Sequence, residues 1–315
     1  MTGRGRFWFV GRRLLQAIPL TLVLLLLVFA MLKVVPGDPA LQVAGPRASA
    51  ATLQAIRVHL GLDQPVWLQF VHYLGRVATG DLGTTATGST KVSTLIASGT
   101  PVTLVLLAVS TVFTVVIAGA TALLAARRPD GLADRLINVV AAFGVGVPTF
   151  WLGIVLLAGV ALPTGAFPIG GWGDTPATVL RAAVLPALAL SVSVAPVLMA
   201  SLRSGIVEAR RSEYHAAAQA AGVRGWTLTR RFVLRNAAVP PVSLLAALTT
   251  LLLSGAVVVE STFGLPGLGL SLTQAAQNRD FNVIQGLTLV FSLAVVAVNL
   301  VGDVLVALLD PRVEV

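Results

Sequence analysis

The stretch EYHAAAQAAGVRGWTLTRRFVLRNAAVPP, residues 213–241, is a polar, arginine-rich segment set between two long apolar runs, and its pattern describes a folded hairpin. Tyr214, Ala217, Ala218 and Ala221 recur at i, i+3, i+4 and i+7, so on a helix headed by Glu213 they share one small, smooth stripe. Gly222, followed by Val223, accepts a positive φ where a helix must stop. A second helical run is predicted from about Thr227 through Arg235 and Asn236 towards Pro240. The expectation is helix, sharp turn, helix. An alanine stripe lets a partner approach the backbone closely, while Arg224, Arg230, Arg231 and Arg235 suit an anionic membrane face. On pattern alone, a solvated basic loop that follows the membrane charge rule describes the same residues.

The flanking sequence belongs in a bilayer. Hydrophobic residues make up 56% of the chain and charged residues 11%, with a mean hydropathy of +0.89, which is improbable for a soluble globular domain. Charge-free runs occupy residues 14–32, 92–126, 136–173, 182–202, 237–259 and 281–302. Each supplies the roughly 20 apolar residues that cross about 30 Å of hydrocarbon. The run 136–173 is too short for two crossings and a turn, and Pro163, Gly165, Pro168, Gly170 and Gly171 break its second half. The reading is an all-α integral membrane protein with six transmembrane helices, at about 14–35, 101–126, 137–161, 182–205, 237–259 and 282–308. Residues 1–13 form an N-terminal segment, 36–100 a long outer loop and 206–236 the hairpin loop of a single domain, 14–315.

Orientation follows from the arginines. With both termini in the cytoplasm, the inside segments carry 15 of the 22 basic residues: Arg4, Arg6, Arg12, Arg13, Arg127, Arg128, Arg135, seven arginines over 203–235, and Arg312. A net charge of +9 invites a nucleic-acid reading, but these cations sit at span ends, so membrane lipid head groups are the expected partner and nucleic acid is not. The N-terminal apolar run is longer than a signal core and continues into Lys33 and Pro36-Gly37-Asp38-Pro39, so it reads as an uncleaved first helix. Within the outer loop, helices are predicted at 49–60 and from Pro65 to about Thr79. In the second of these, Val66, Phe70, Tyr73, Leu74 and Val77 form an apolar face, either structural or in contact with substrate.

Ala217 and Ala218, five and four residues before Gly222, with Pro240 eighteen after it, resemble the alanine-alanine-glycine coupling loop of ABC importer permeases. The loop is most similar to that of the dipeptide and oligopeptide permeases, of the first-permease type. The acidic residue that heads the loop motif in many other ABC importers is replaced here by Ala216, so any salt bridge it would make is absent. Residues 60–85, the Pro-Gly-Asp-Pro above, and a C-terminal set that includes Glu260, Phe263, Pro266, Gly267, Gly269, Gln277, Asn278, Arg279, Asp280, Gly286, Asn299, Asp303, Asp310, Pro311 and Arg312 also resemble that family. The resemblance implies the type I ABC importer permease fold, both termini inside, in a bacterial cell membrane. It implies a homologous second permease completing the pore, two ABC ATPase subunits that use ATP and Mg, and an extracytoplasmic substrate-binding protein. The solute would be a peptide, with nickel and oligosaccharides also open.

Other chemistry is thin. Residues 264–269 lack the glycine-lysine ending of a P-loop, so the chain itself is expected to bind no nucleotide or other cofactor. Zero cysteines exclude disulfides and thiolate metal sites, and His59, His72 and His215 are too scattered for one metal site, so no metal and no catalytic residues are expected. Glu260, Phe263, Pro266, Gly267, Asn299 and Asp303 are candidate pathway or gate residues. Glu260 could instead serve an interhelix hydrogen bond, and Asp303 packing or capping. An ATP-independent secondary transporter or channel is the alternative reading. It would need a mid-membrane ion site or an inverted repeat, and neither stands out.

Overall fold

The computed structural model describes residues 3–34, 39–45, 48–59, 61–86 and 88–309, and these are almost entirely helical. Along the chain run α1 (Gly3–Val34), α2 (Pro39–Ala44), α3 (Ala50–His59), α4 (Val66–Ala78), α5 (Val92–Ala125), α6 (Leu132–Gly146) and α7 (Thr149–Leu156). A π-helical turn (Leu157–Ala161) leads from α7 into α8 (Leu162–Thr164). Then come α9 (Pro176–Arg211), α10 (Glu213–Ala220), α11 (Gly225–Leu228), a second π-helical turn (Thr229–Leu234), α12 (Arg235–Ala237), α13 (Val239–Phe263), α14 (Leu268–Gln277) and α15 (Phe281–Leu309). Residues Pro36-Gly37-Asp38, Asp310, Pro311 and Arg312, and the side chain of Asp303, lie outside the described residues.

Four helices, α5, α9, α13 and α15, are long and apolar enough to cross a membrane, and α6 with α7–α8 forms a fifth, bent candidate. Helix α1 has a shorter apolar run, Leu15–Ala30. The third expected span departs from one continuous helix over 137–161, because α6 and α7 meet at a bend of 103°. The cause is Pro148. Val147, biased as the residue before proline away from the helical region, is extended (φ −85°, ψ 125°), and Pro148 itself is extended (φ −60°, ψ 134°). The breakers further on act as the sequence suggests, since Gly165 ends α8 with φ 62°.

The chain divides into two compact units. The first contains residues 104–265 with 1–12 and 297–315, and α9 is its hub. Of α9's most apolar window 67% is buried, against 28–33% for the other long helices, whose remaining apolar faces are left for lipid or other chains. Helix α9 begins with a capping box between Thr175 and Thr178 and Pro176 in the first turn, and it tolerates Pro186 and Pro196 as membrane helices do. Its buried face is rich in alanine, which permits close crossings. A Cβ on Gly255 of α13 would lie 2.8 Å from Leu190, and one on Gly302 of α15 would collide with Ala246 Cβ. The Ser191 hydroxyl is shared between the carbonyls of Ala187 (2.6 Å) and Ser110 of α5 (2.9 Å).

The second unit contains residues 13–103 and 266–296. Phe70, Tyr73, Leu74 and Val77 of α4 pack on Leu25, Phe29 and Leu289, with Phe29 centred 5.3 Å from Phe70 and 5.8 Å from Tyr73. Val66, expected on the same face, is exposed instead, beside exposed Trp67. A second core joins Val92, Leu268, Phe281 and Leu287. Asp280 ties the segment before α5 to the start of α15, accepting the N–H groups of Ala86 (2.7 Å) and Val283 (3.3 Å).

Candidate functional site: a hairpin seated on α9

Helix α9 stops at Ser212, whose extended backbone (φ −76°, ψ 152°) turns the chain directly into α10. The Ser212 hydroxyl donates to the Ala209 carbonyl at 2.6 Å and holds this corner. Helix α10 then closes in a Schellman motif: Gly222 N–H reaches Gln219 O (3.0 Å) and Val223 N–H reaches Ala218 O (3.0 Å), with Gly222 at φ 85°. Gly225 also takes a positive φ, 62°, so a glycine stands on either side of the turn and the second arm starts at Gly225 rather than near Thr227.

The alanine stripe divides. Ala218 is buried, whereas Tyr214, Ala217, Ala221 and Gly222 are exposed, as are Ala216 and Ala220, so α10 presents a face of small side chains flanked by one tyrosine. Among the partner candidates in the turn, Val223 is half-buried and Arg224 exposed. On the second arm Leu228, Val233 and Ala237 are buried. The five-residue step from 228 to 233 would rotate off an α-helical stripe, and the π-helical turn Thr229–Leu234 returns both to one face. Arg230, Arg231, Arg235, Asn236 and Pro240 are exposed, and the Asn236 amide donates back to Phe232 O at 2.9 Å.

Three contacts, none of them visible in the sequence pattern, fix the hairpin and its support: one seats the second arm on α9, and two tie α9 to the turn between α5 and α6. Gly205 of α9 lies against Ala237, where an added Cβ would sit 2.9 Å from the Ala237 carbonyl and 3.2 Å from its Cβ. Gly205→Leu is therefore expected to lever the second arm away from α9. Faster limited proteolysis at 224–236 would report it, and an unchanged rate would contradict the close seat. Arg203 forms a two-pronged pair with Asp134 at the start of α6, Nε to Oδ1 at 2.6 Å and Nη2 to Oδ2. Asp134 is 2% exposed and also accepts Asn138 Nδ2 (2.9 Å) and Asp130 N–H (2.8 Å), so its acceptor capacity is filled. Two helical turns further along α9, Arg210 donates to the Ala126 carbonyl at the end of α5, where a cation complements the helix C-terminus. Arginines 203 and 210, counted in the sequence as charge-rule markers, are thus internal clamps. The same helix that carries α10 grips the turn between α5 and α6.

The pathway candidates belong to both units: Glu260, Phe263 and Asn299 to the first, Pro266 and Gly267 to the second. Glu260 is fully buried, and its carbonyl accepts the N–H groups of Gly264 and Leu265 where α13 ends. Phe263 is buried against Gly153 and Gly170, whose missing side chains make room for it. In the second unit Gly99 allows α5 to within 3.1 Å of the Gly267 backbone, measured from a Cβ it lacks, and Thr103 Oγ1 accepts Leu268 N–H at 3.0 Å. Asn299 is exposed on α15.

Residues 118–315 match the model of the binding-protein-dependent transport system inner membrane component, and residues 6–118 match its N-terminal companion model. The chain belongs to this family of membrane permeases and is one subunit of an ABC transporter. It is 36% identical over 306 residues to a putative peptide transport system permease protein of Brucella abortus, covering 96% of this chain and 98% of that one. It is equally 36% identical to the glutathione transport system permease protein GsiC of Escherichia coli K12, over 97% and 98% of the two chains. Among solved structures, the methionine ABC transporter MetNI in inward-facing conformations shares the fold, with a TM-score of 0.57 at 19% identity over 69% of this chain and 96% of that one.

Proposed function

We propose that this chain forms half of the translocation pathway of an importer for peptides or similar small solutes, and that α10 with its Schellman turn is the element through which a separate ATPase drives it. The observation that carries this is the exposed alanine face of α10, joined through α9 to the turn between α5 and α6. The pathway would be completed by a homologous second permease. Two ATPase subunits that use ATP and Mg would dock beneath, and an extracytoplasmic binding protein would deliver solute above. Six spans with both termini in the cytoplasm of a bacterial inner membrane fit the arginine distribution, and in that arrangement the hairpin would lie on the ATPase side. The peptide-type solute is supported by relatives named for peptide and glutathione transport.

In this mechanism the chain performs no chemistry. It supplies a packing of helices with inward- and outward-open arrangements, and each partner shifts the balance by binding one arrangement better than the other. The test is uptake of labelled peptide into vesicles by the complete complex. The proposal requires dependence on ATP and on the binding protein, and uptake by this chain without an ATPase would overturn it.

A further inference from the structure

Helices α5, α6 and α9 leave between them an apolar groove of about 320 Å³, whose lining includes Ile117, Leu136, Val140, Ala141, Val192 and Met199. Leu136 is 56% and Val140 69% exposed, so the groove opens on the surface of the unit. Its single polar lining side chain, Thr121, already donates its hydroxyl proton to Ile117 O at 2.6 Å and has no donor left for a ligand. The lining runs along α6 from Leu136 to Gly144, roughly 12 Å at helical rise. An open, dry groove of this length takes a stretch of hydrocarbon chain, and the charges at its end decide which occupant fits.

One end of the groove meets the turn between α5 and α6. Arg127, Arg128 and Arg135 are exposed there, and among the described residues their guanidinium groups have no hydrogen bond or ion pair. Asp134, the buried acid of that turn, is taken by Arg203, so three exposed cations face one exposed acid, Asp130. A dry hydrocarbon slot ending in uncompensated cations has the chemistry of an anionic amphiphile's complement. We propose that this groove is a binding site for an anionic phospholipid, with one acyl chain along α6 and the phosphodiester at Arg127, Arg128 and Arg135. The site adjoins the Arg203 and Arg210 clamps, so its occupant braces the helix that carries the hairpin. This inference rests on the membrane setting and not on which solute is carried.

The chain has no cysteine, so a fluorophore at Phe143→Cys, exposed on α6 beside the groove and outside its lining, reports on the groove in the complete complex, held in phosphatidylcholine nanodiscs, once partner thiols are removed. Brominated phosphatidylglycerol is expected to quench it at a mole fraction about tenfold lower than brominated phosphatidylcholine does. The preference should shrink as salt rises and vanish in the Arg127→Gln, Arg128→Gln, Arg135→Gln triple variant. Ala141→Phe, which fills the slot, should abolish quenching by both lipids at low mole fraction. Equal quenching by the two lipids in the unaltered chain would overturn the proposal. So would efficient cross-linking of Val140→Cys to another subunit, since protein would then occupy the groove.

Discussion

Gly222→Glu in the complete complex is expected to cut ATP-driven uptake by about tenfold or more while the spans stay assembled, and Gly222→Ala to cut it far less. The comparison is informative because of what surrounds Gly222. Its φ of 85° penalises any L side chain, and a Cβ added there would meet no atom of this chain within 4 Å. Both variants therefore carry the same left-handed backbone cost, about 1–2 kcal/mol, and neither clashes internally. What differs is bulk and charge on the exposed face of Ala217, Ala221 and Gly222. A large gap between the two variants at similar thermal stability assigns that face to a partner. Equal losses would place the effect in the backbone, and undiminished uptake by Gly222→Glu would remove the coupling role.

The largest loss of stability is expected at Asp134. Removing its carboxylate leaves Arg203, 24% exposed, without its two-pronged acceptor, and breaking such a pair costs about 3 kcal/mol. Asn138 and the Asp130 N–H lose an acceptor at the same time. Asp134→Ala should lower the melting temperature of the detergent-solubilised complex markedly. The Asp134→Ala, Arg203→Ala double variant should be less destabilised than the two single losses together, because it strands neither charge. Additive losses would show that the pair does not couple α6 to α9.

Local chemistry was legible in the sequence. Gly222 announces itself because an alanine-rich helix followed by glycine has few ways to end, and the φ of 85° follows. The long spans are written in composition. The bend at Val147–Pro148 was harder to see. A 38-residue charge-free run draws attention to the cluster of breakers at 163–171, and a single proline earlier in the run is tolerated in some membrane helices, as Pro186 and Pro196 are in α9. The proline at 148 breaks the helix because Val147 turns extended there, while glycines 144 and 153 let the two arms pack against Val192 and Phe263.

The clamps on α9 and the seat of the hairpin were not legible. Arg203 and Asp134 lie 69 residues apart, and Arg210 and Ala126 84 apart, so no window of sequence contains either pair. The signal that could have suggested them is the seven-residue step from Arg203 to Arg210, two helical turns that put both on one side of α9. Gly205 between them, a helical glycine with no local purpose, marks the close approach of α12. The stripe itself was read as a unit, but packing against the second arm takes Ala218 inward and leaves Tyr214, Ala217 and Ala221 outside.

The most direct measurement places a lone cysteine at Ala217 of this cysteine-free chain, in the complete complex, and follows uptake after treatment with a short thiol cross-linker. The account predicts an adduct with an ATPase subunit and loss of ATP-driven uptake in proportion to its yield. Full modification of that cysteine without an ATPase adduct, in vesicles that continue to import at the original rate, would contradict it.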